Sequence, residues 1–244
     1  MEELKEIVTI DGPAGSGKST AAFLVARELD AILLDTGAIY RCVALVAGER
    51  GVSNEDAHAL AEMARTLEIS FQNDLSELSG RSSGRVFVDG IDVSGKIRTP
   101  RVSSDASKIS AYPEVRAELL QLQRKQAWKD GDKGLIVAEG RDMGTVVFPD
   151  APHKFFLVAD AETRAERRYK ELVEKGSDVS YAKVLVDQKE RDRRDEQRQA
   201  SPLRPAEDAC IVDTTKMGLG EVVEFILKQI SNNRKKPDVG RTNR

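Results

Sequence analysis

Short apolar runs alternate with stretches of helical period along this chain. Ile7–Ile10, Ile32–Leu34, Leu135–Ala138, Phe155–Val158 and Cys210–Val212 are brief and rich in Ile, Leu, Val or Phe. Runs of this kind fit strands that are covered on both faces. Lys18–Leu29, Ala38–Ala47, Val115–Trp128, Ala161–Glu174 and Gly220–Ile230 carry the helical pattern between them. The alternation predicts an α/β fold, a five-stranded parallel sheet flanked by helices.

Two stretches break that rhythm. Leu67, Ile69 and Phe71 alternate with polar neighbours, and Val86–Val88 faces Ile91–Val93 across Asp89-Gly90. Asp-Gly between two such runs is a hairpin signal. Residues 67–93 are therefore expected to form a small antiparallel sheet, with Gln72–Gly84 as its polar loop and Ser53 with Asp56 capping the helix before it. The second stretch, residues 163–198, is dense in charge and predicts one or two helices serving as a mobile lid.

Composition narrows the class. Hydrophobic residues make up 40% and charged residues 32%, as in soluble globular domains. Met1–Glu6 is acidic and leads straight into a strand pattern, unlike a signal peptide, so a cytoplasmic location is expected. Cys42 and Cys210 lie in apolar runs and read as core residues, and two histidines without clustered cysteines lack the spacing of a zinc site. The net charge is −3, although residues 232–244 hold five basic side chains against Asp238. The acidic remainder does not resemble a general nucleic-acid binder. The basic segment 232–244 lacks an apolar pattern and is expected to be a flexible tail after a domain spanning residues 1–231.

The first chemical motif follows the first strand. Gly12-Pro13-Ala14-Gly15-Ser16-Gly17-Lys18-Ser19-Thr20 satisfies G-x-x-x-x-G-K-[ST] between a strand and a helix. Its glycines let backbone N–H groups curl around phosphate oxygens, and the helix N-terminus adds its positive end. Lys18 would reach the β- and γ-phosphates of ATP, and the Ser19 hydroxyl would help hold Mg²⁺. A guanine-reading Asn-Lys-x-Asp motif is absent, which weakens a GTPase reading. Glu139, after the strand Leu135–Ala138, is either an indirect partner of the metal or an ordinary strand-end carboxylate.

Two polar clusters follow other strands: Asp35-Thr36-Gly37-Ala38-Ile39-Tyr40-Arg41 and Glu139-Gly140-Arg141-Asp142-Met143-Gly144. Thr36 suits a helix N-cap, which puts Tyr40 and Arg41 about one turn in. Ligands of open α/β sheets bind beyond the carboxyl ends of the strands. There Arg41 and Arg141 can converge on a second phosphate group. Arg191, Asp195 and Arg198 recur at i, i+4, i+7, a single helical face that is either a site or a solvated, salt-bridged surface. Arg164 and Arg167 in the lid either contact ATP or belong to an exposed face.

These motifs, with Gly140–Pro149, Arg191–Asp195, Arg198 and Ser201-Pro202-Leu203, resemble bacterial cytidylate kinases over roughly residues 5–230. The resemblance implies a P-loop nucleoside monophosphate kinase fold, with residues 37–116 as a monophosphate-binding region containing the small sheet. It implies transfer of the ATP γ-phosphate to CMP or dCMP with Mg²⁺, by a monomer that binds no specific nucleic acid and no membrane. By motif, Lys18, Arg141 and Arg191 would be catalytic, Arg41 and Arg141 would hold the CMP phosphate, and Asp35, Thr36 and Tyr40 would line the acceptor site. Ser107, Arg116 and Asp142 would read cytosine, and Arg191, Asp195 and Arg198 would contact ribose and phosphate. Cytosine presents an N4 donor with N3 and O2 acceptors, matching a carboxylate beside Ser and Arg; uracil reverses the groups at positions 3 and 4. Thr36 stands where the family has Ser at least as often, and it keeps the hydroxyl. The competing expectations are a P-loop kinase for UMP, dTMP or a non-nucleotide acceptor, and an NTP-binding regulator.

Overall fold

The computed structural model describes residues 6–72, 84–129 and 134–234. Most of the polar loop expected between Gln72 and Gly84, and the basic residues from 235 on, lie outside the described residues. All five predicted strands form and pair in parallel: β1 (Glu6–Asp11), β2 (Ile32–Asp35), β6 (Leu135–Gly140), β7 (His153–Val158) and β8 (Cys210–Asp213). Their order in the sheet is β2-β6-β1-β7-β8. The chain leaves β1 toward one side of the sheet and leaves β6 toward the other. The switch point therefore lies at the carboxyl ends of β1 and β6, where such sheets open a crevice.

Residue alternation assigns each face of the sheet. Val8, Ile10, Leu33, Val137, Phe155 and Leu157 pack on α1 (Lys18–Glu28) and α8 (Leu219–Arg234). Ile7, Ile32, Leu34, Ile136 and Ala138 pack on the opposite side with Ala127 of α5 (Pro113–Lys129) and with Val147 and Phe148. Burial on both faces explains why these runs read as continuously apolar.

The expected small sheet is present as β3 (Ile69–Gln72), β4 (Arg85–Val88) and β5 (Ile91–Asp92), antiparallel throughout. Asp89 at φ 50° and Gly90 at φ 79° form its tight turn, the two left-handed residues that a type I′ hairpin requires. The sheet packs with α2 (Thr36–Arg50), α3 (Ala57–Thr66), α4 (Pro100–Ile109) and α5 around Ile39, Leu60, Ile69, Val86 and Ile109. The charged stretch forms two helices, α6 (Ala161–Glu174) and α7 (Tyr181–Gln197). The apolar cluster between them consists of buried Ala165, Leu172 and Val184 with half-buried Tyr169, Val179 and Leu185.

Three local expectations are corrected. Asp35, not Thr36, caps α2, accepting from Ala38 N at 2.9 Å, because the Thr36 hydroxyl is drawn to Glu139 O at 2.8 Å. Asp56 caps α3 by accepting from Ala59 N at 2.9 Å, while Ser53 Oγ accepts from Glu55 N in the turn before it. The start of the proposed tail is helical: α8 runs on to Arg234, whose guanidinium donates to both carboxylate oxygens of Glu6 at 2.7–3.1 Å.

Candidate active site

The ends of β2, β6 and β1 lie level, with Asp35 paired to Glu139 and Asp11 to Gly140. A cleft of about 500 Å³ opens above them. Its lining carries ten Lys or Arg side chains against five Asp or Glu. The chain is net negative, so this local excess of cations marks the cleft as an anion site.

The phosphate loop forms one side. Gly12 has φ 148°, and a Cβ there would sit 2.2 Å from Leu157 O. Only glycine lets β1 turn so close to β7. Helix α1 starts at Lys18 with no side-chain cap, which leaves its first turn to meet an anion. Thr214 Oγ1 donates to Ser16 O at 3.0 Å and anchors the loop from behind.

Lys18 is buried, with Nζ 3.4 Å from Pro13 O and 4.0 Å from Glu139 Oε2. Burial, and then Arg141, lower its pKa to about 7, with Glu139 opposing. Ser19 Oγ donates to Glu139 Oε1 at 2.8 Å. Burial, and then Asp35, raise the Glu139 pKa. Burial also opposes the charge on Asp35, but Arg41 and the Ala38 N–H outweigh it and keep that carboxyl low. Asp35 and Glu139 are neighbours in the strand register, and their opposite directions set a low carboxyl beside a raised one.

The other side of the cleft is assembled from distant segments. Arg41 Nη2 pairs with Asp35 Oδ2 at 3.0 Å, and Arg141 Nε with Asp195 Oδ2 at 3.0 Å. Arg116 pairs with Asp142, donates to Ser110 O at 3.1 Å, and lies 5.4 Å over the Tyr40 ring. Ser107 Oγ and Arg116 Nε are buried without a hydrogen-bond partner. Arg191 is half-buried, its Nε is buried without a hydrogen-bond partner, and it has no ion pair within 4 Å among the described residues. Burial, followed by Arg141, brings its pKa down to about 10.

The structure brings Lys18, Ser19, Asp35, Thr36, Tyr40, Arg41, Ser107, Arg116, Arg141, Asp142, Arg191, Asp195, Arg198 and Arg167 into the lining of this cleft. Arg198 sits at the carboxyl cap of α7 rather than on its face. Gly12, Pro13 and Ser16 lie outside the lining, as does Arg164. The Arg164 guanidinium instead donates to Ala14 O, Ala159 O and Asp192. Arg98, Arg168 and Lys175 also line the cleft. Sequence reasoning did not select them, since each is an ordinary basic residue without a motif of its own. Asp11 was likewise missed. It accepts from Met143 N at 2.9 Å and Gly144 N at 2.8 Å, tying the phosphate loop to the loop of Arg141 and Asp142.

The oxygen donors fit a magnesium ion. Among the described residues no three His, Cys, Asp or Glu side chains form a metal cage. The Ser19 hydroxyl with the Asp35–Glu139 pair behind it is the small, hard set that Mg²⁺ uses when phosphates supply its other ligands.

Comparison with known proteins points one way. The family model described as Cytidylate kinase matches residues 8–232. The cytidylate kinase of Methylococcus capsulatus is 47% identical over 232 residues, covering 95% of this chain and 100% of the relative. That of Actinobacillus succinogenes is 47% identical over 232 residues, with 93% and 98% coverage. Cytidylate kinase 1 of Haemophilus influenzae is 46% identical over 224 residues, with 92% and 93% coverage.

Proposed function

The chain belongs to the cytidylate kinase family, and from that premise we propose that its cleft transfers the γ-phosphate of ATP to CMP or dCMP. A phosphate oxygen of the acceptor attacks the γ-phosphorus, the bond to the β,γ-bridging oxygen breaks, and ADP leaves as CDP or dCDP forms. The observation that carries this reading is the meeting of Lys18 with Arg41, Arg141 and Arg191 in one cleft. Two phosphate chains brought together there require that density of positive charge.

On this reading the phosphate loop binds the triphosphate of ATP, with Lys18 at the transferring end. Ser19 would hold Mg²⁺ with Glu139 and Asp35 behind it, and the ion supplies charge neutralisation on the phosphates when bound. Arg41 and Arg141 hold the acceptor phosphate, and Arg191 faces the charge that spreads as the phosphoryl group moves. Asp35 positions Arg41 and serves as no obligatory base. Ser107, Arg116 and Asp142 read the base: Asp142 accepts from N4 of cytosine, while Ser107 and Arg116 donate to its acceptors. The unpartnered Ser107 Oγ and Arg116 Nε support this assignment. Each buried orphan costs roughly 1–3 kcal/mol that a base would relieve. Helices α6 and α7 exclude water once both nucleotides are in place. Among the described residues no helix is long and apolar enough to cross a membrane.

The test is ADP formation from ATP with each nucleoside monophosphate, and with water alone. Strong stimulation by CMP or dCMP is expected. Equal rates with and without any acceptor would overturn the kinase reading in favour of an NTP-binding regulator.

A further inference from the structure

Helix α7 reaches both halves of the cleft with a single face. Gln188, Asp192 and Asp195 recur at helical spacing and are all buried. At one end Gln188 Nε2 donates to Ala14 O, on the crest of the phosphate loop, at 2.7 Å. Arg164 Nη1 donates to the same carbonyl at 3.2 Å and is held by Asp192 Oδ2 at 2.7 Å. Contact is close enough that a Cβ on Gly15 would fall 2.9 Å from Gln188 Nε2. Seven residues on, about 10 Å along the helix axis, Asp195 holds Arg141.

The anchoring of this helix is mostly polar. Three of the four buried residues of α7 are polar, and its apolar cluster with α6 is small, so its contacts to Ala14 and Arg141 carry much of its placement. Both contacts involve groups that substrates engage. Whatever fixes the phosphate loop therefore also biases the position from which Asp195 aims Arg141, and the reverse holds by linkage. Gln188 is neutral and lies outside the cleft lining, so it exerts this effect without touching either nucleotide.

We propose that Gln188 is a positioning residue: by holding Ala14 O it makes α7 a strut that couples triphosphate binding to acceptor binding. The proposal rests on the kinase reading above. The test measures CMP affinity calorimetrically, with and without a non-hydrolysable ATP analogue, in the full chain and its variants. In the unsubstituted protein the analogue should tighten CMP binding by roughly 5-fold or more, within the usual range of coupling between sites. Gln188→Leu should bring that factor close to one while leaving CMP affinity without the analogue within about twofold. Gln188→Glu, which sets an acceptor against the Ala14 carbonyl, should do the same, and Gln188→Lys, which restores a donor, should recover most of the coupling. An unchanged factor in the Leu and Glu variants overturns the proposal. So does an equal loss of CMP affinity with and without the analogue, or loss of the fold in both variants, since each marks a merely structural role. Absence of CMP binding in the unsubstituted protein would instead overturn the kinase reading.

Discussion

The phosphate loop takes its residues from one unbroken stretch, Gly12–Ser19, and works through backbone and a helix end. The half of the cleft proposed for the acceptor takes Arg41 from α2, Ser107 from α4, Arg116 from α5, Arg141 and Asp142 from the loop after β6, and Asp195 from α7. Three of its cations come ready paired: Arg41 with Asp35, Arg116 with Asp142, Arg141 with Asp195. Lys18 has only the 4.0 Å approach of Glu139. The donor half thus leaves its cation without a close counter-ion, whereas the other half fixes the direction of three of its cations by ion pairs. Losing a donor residue should abolish turnover, and losing an acceptor carboxylate should alter selectivity first.

The largest expected effect is on the donor side. Lys18→Ala should lower turnover by roughly 10³-fold or more, on the scale of a lost transition-state cation. Thermal stability should hold, because burial already disfavours the ammonium. Steady-state rates and a melting curve check both parts, and near-normal turnover would remove Lys18 from the mechanism. On the acceptor side, Asp142→Asn replaces one carboxylate acceptor by a donor. Discrimination of CMP over UMP, read as the ratio of kcat/KM values, should fall on the order of 100-fold, with a much smaller loss in turnover at saturating CMP.

Asp11 joins the two halves and gives a third test. Burial is the main cause that raises its pKa from 3.8 to about 7. Between those values the native state binds more protons than the unfolded one, so this group stabilises most below the window and less as pH rises through it. Asp11→Asn should flatten that part of the pH dependence. A difference in urea midpoint between pH 5 and pH 7.5 that is the same in both proteins would contradict the assignment.

The smallest effect is a proton count. Burial lowers the Lys18 pKa to about 7, so the ammonium is mostly neutral at pH 8, and a bound triphosphate would restore its charge. ATP binding without metal at pH 8 should therefore take up close to one proton, seen as a dependence of the calorimetric enthalpy on buffer ionisation enthalpy. Lys18→Met should lose that uptake.

Much of the frame was legible in the residues. Four of the five parallel strands were visible because burial on both faces leaves them apolar, β8 as a short apolar run although its Ile211 is exposed, and the hairpin because Asp89-Gly90 supplies its two left-handed positions. Helix α4 was less legible, although Thr99 caps it and Pro100 opens it, because three of its first five residues are Ser or Arg. Local rules also misassigned the α2 cap. Both Asp35 and Thr36 suit it, and the choice fell to Glu139, a residue 103 positions away that claims the Thr36 hydroxyl.

The sequence by itself determined the phosphate loop, because a strand, a glycine-rich turn and a helix start are contiguous and their chemistry is carried by the backbone. Motif resemblance also picked out most of the side chains that the fold gathers across the cleft. Only the tertiary structure decided how those side chains pair and which basic residues turn inward. It put Arg164 on Ala14 instead of the cleft lining, placed Arg98, Arg168 and Lys175 in that lining, and seated Gln188 on the phosphate loop. The reason is physical: an ion pair or a hydrogen bond across 100 residues depends on where whole elements pack, and no local pattern of residues records that.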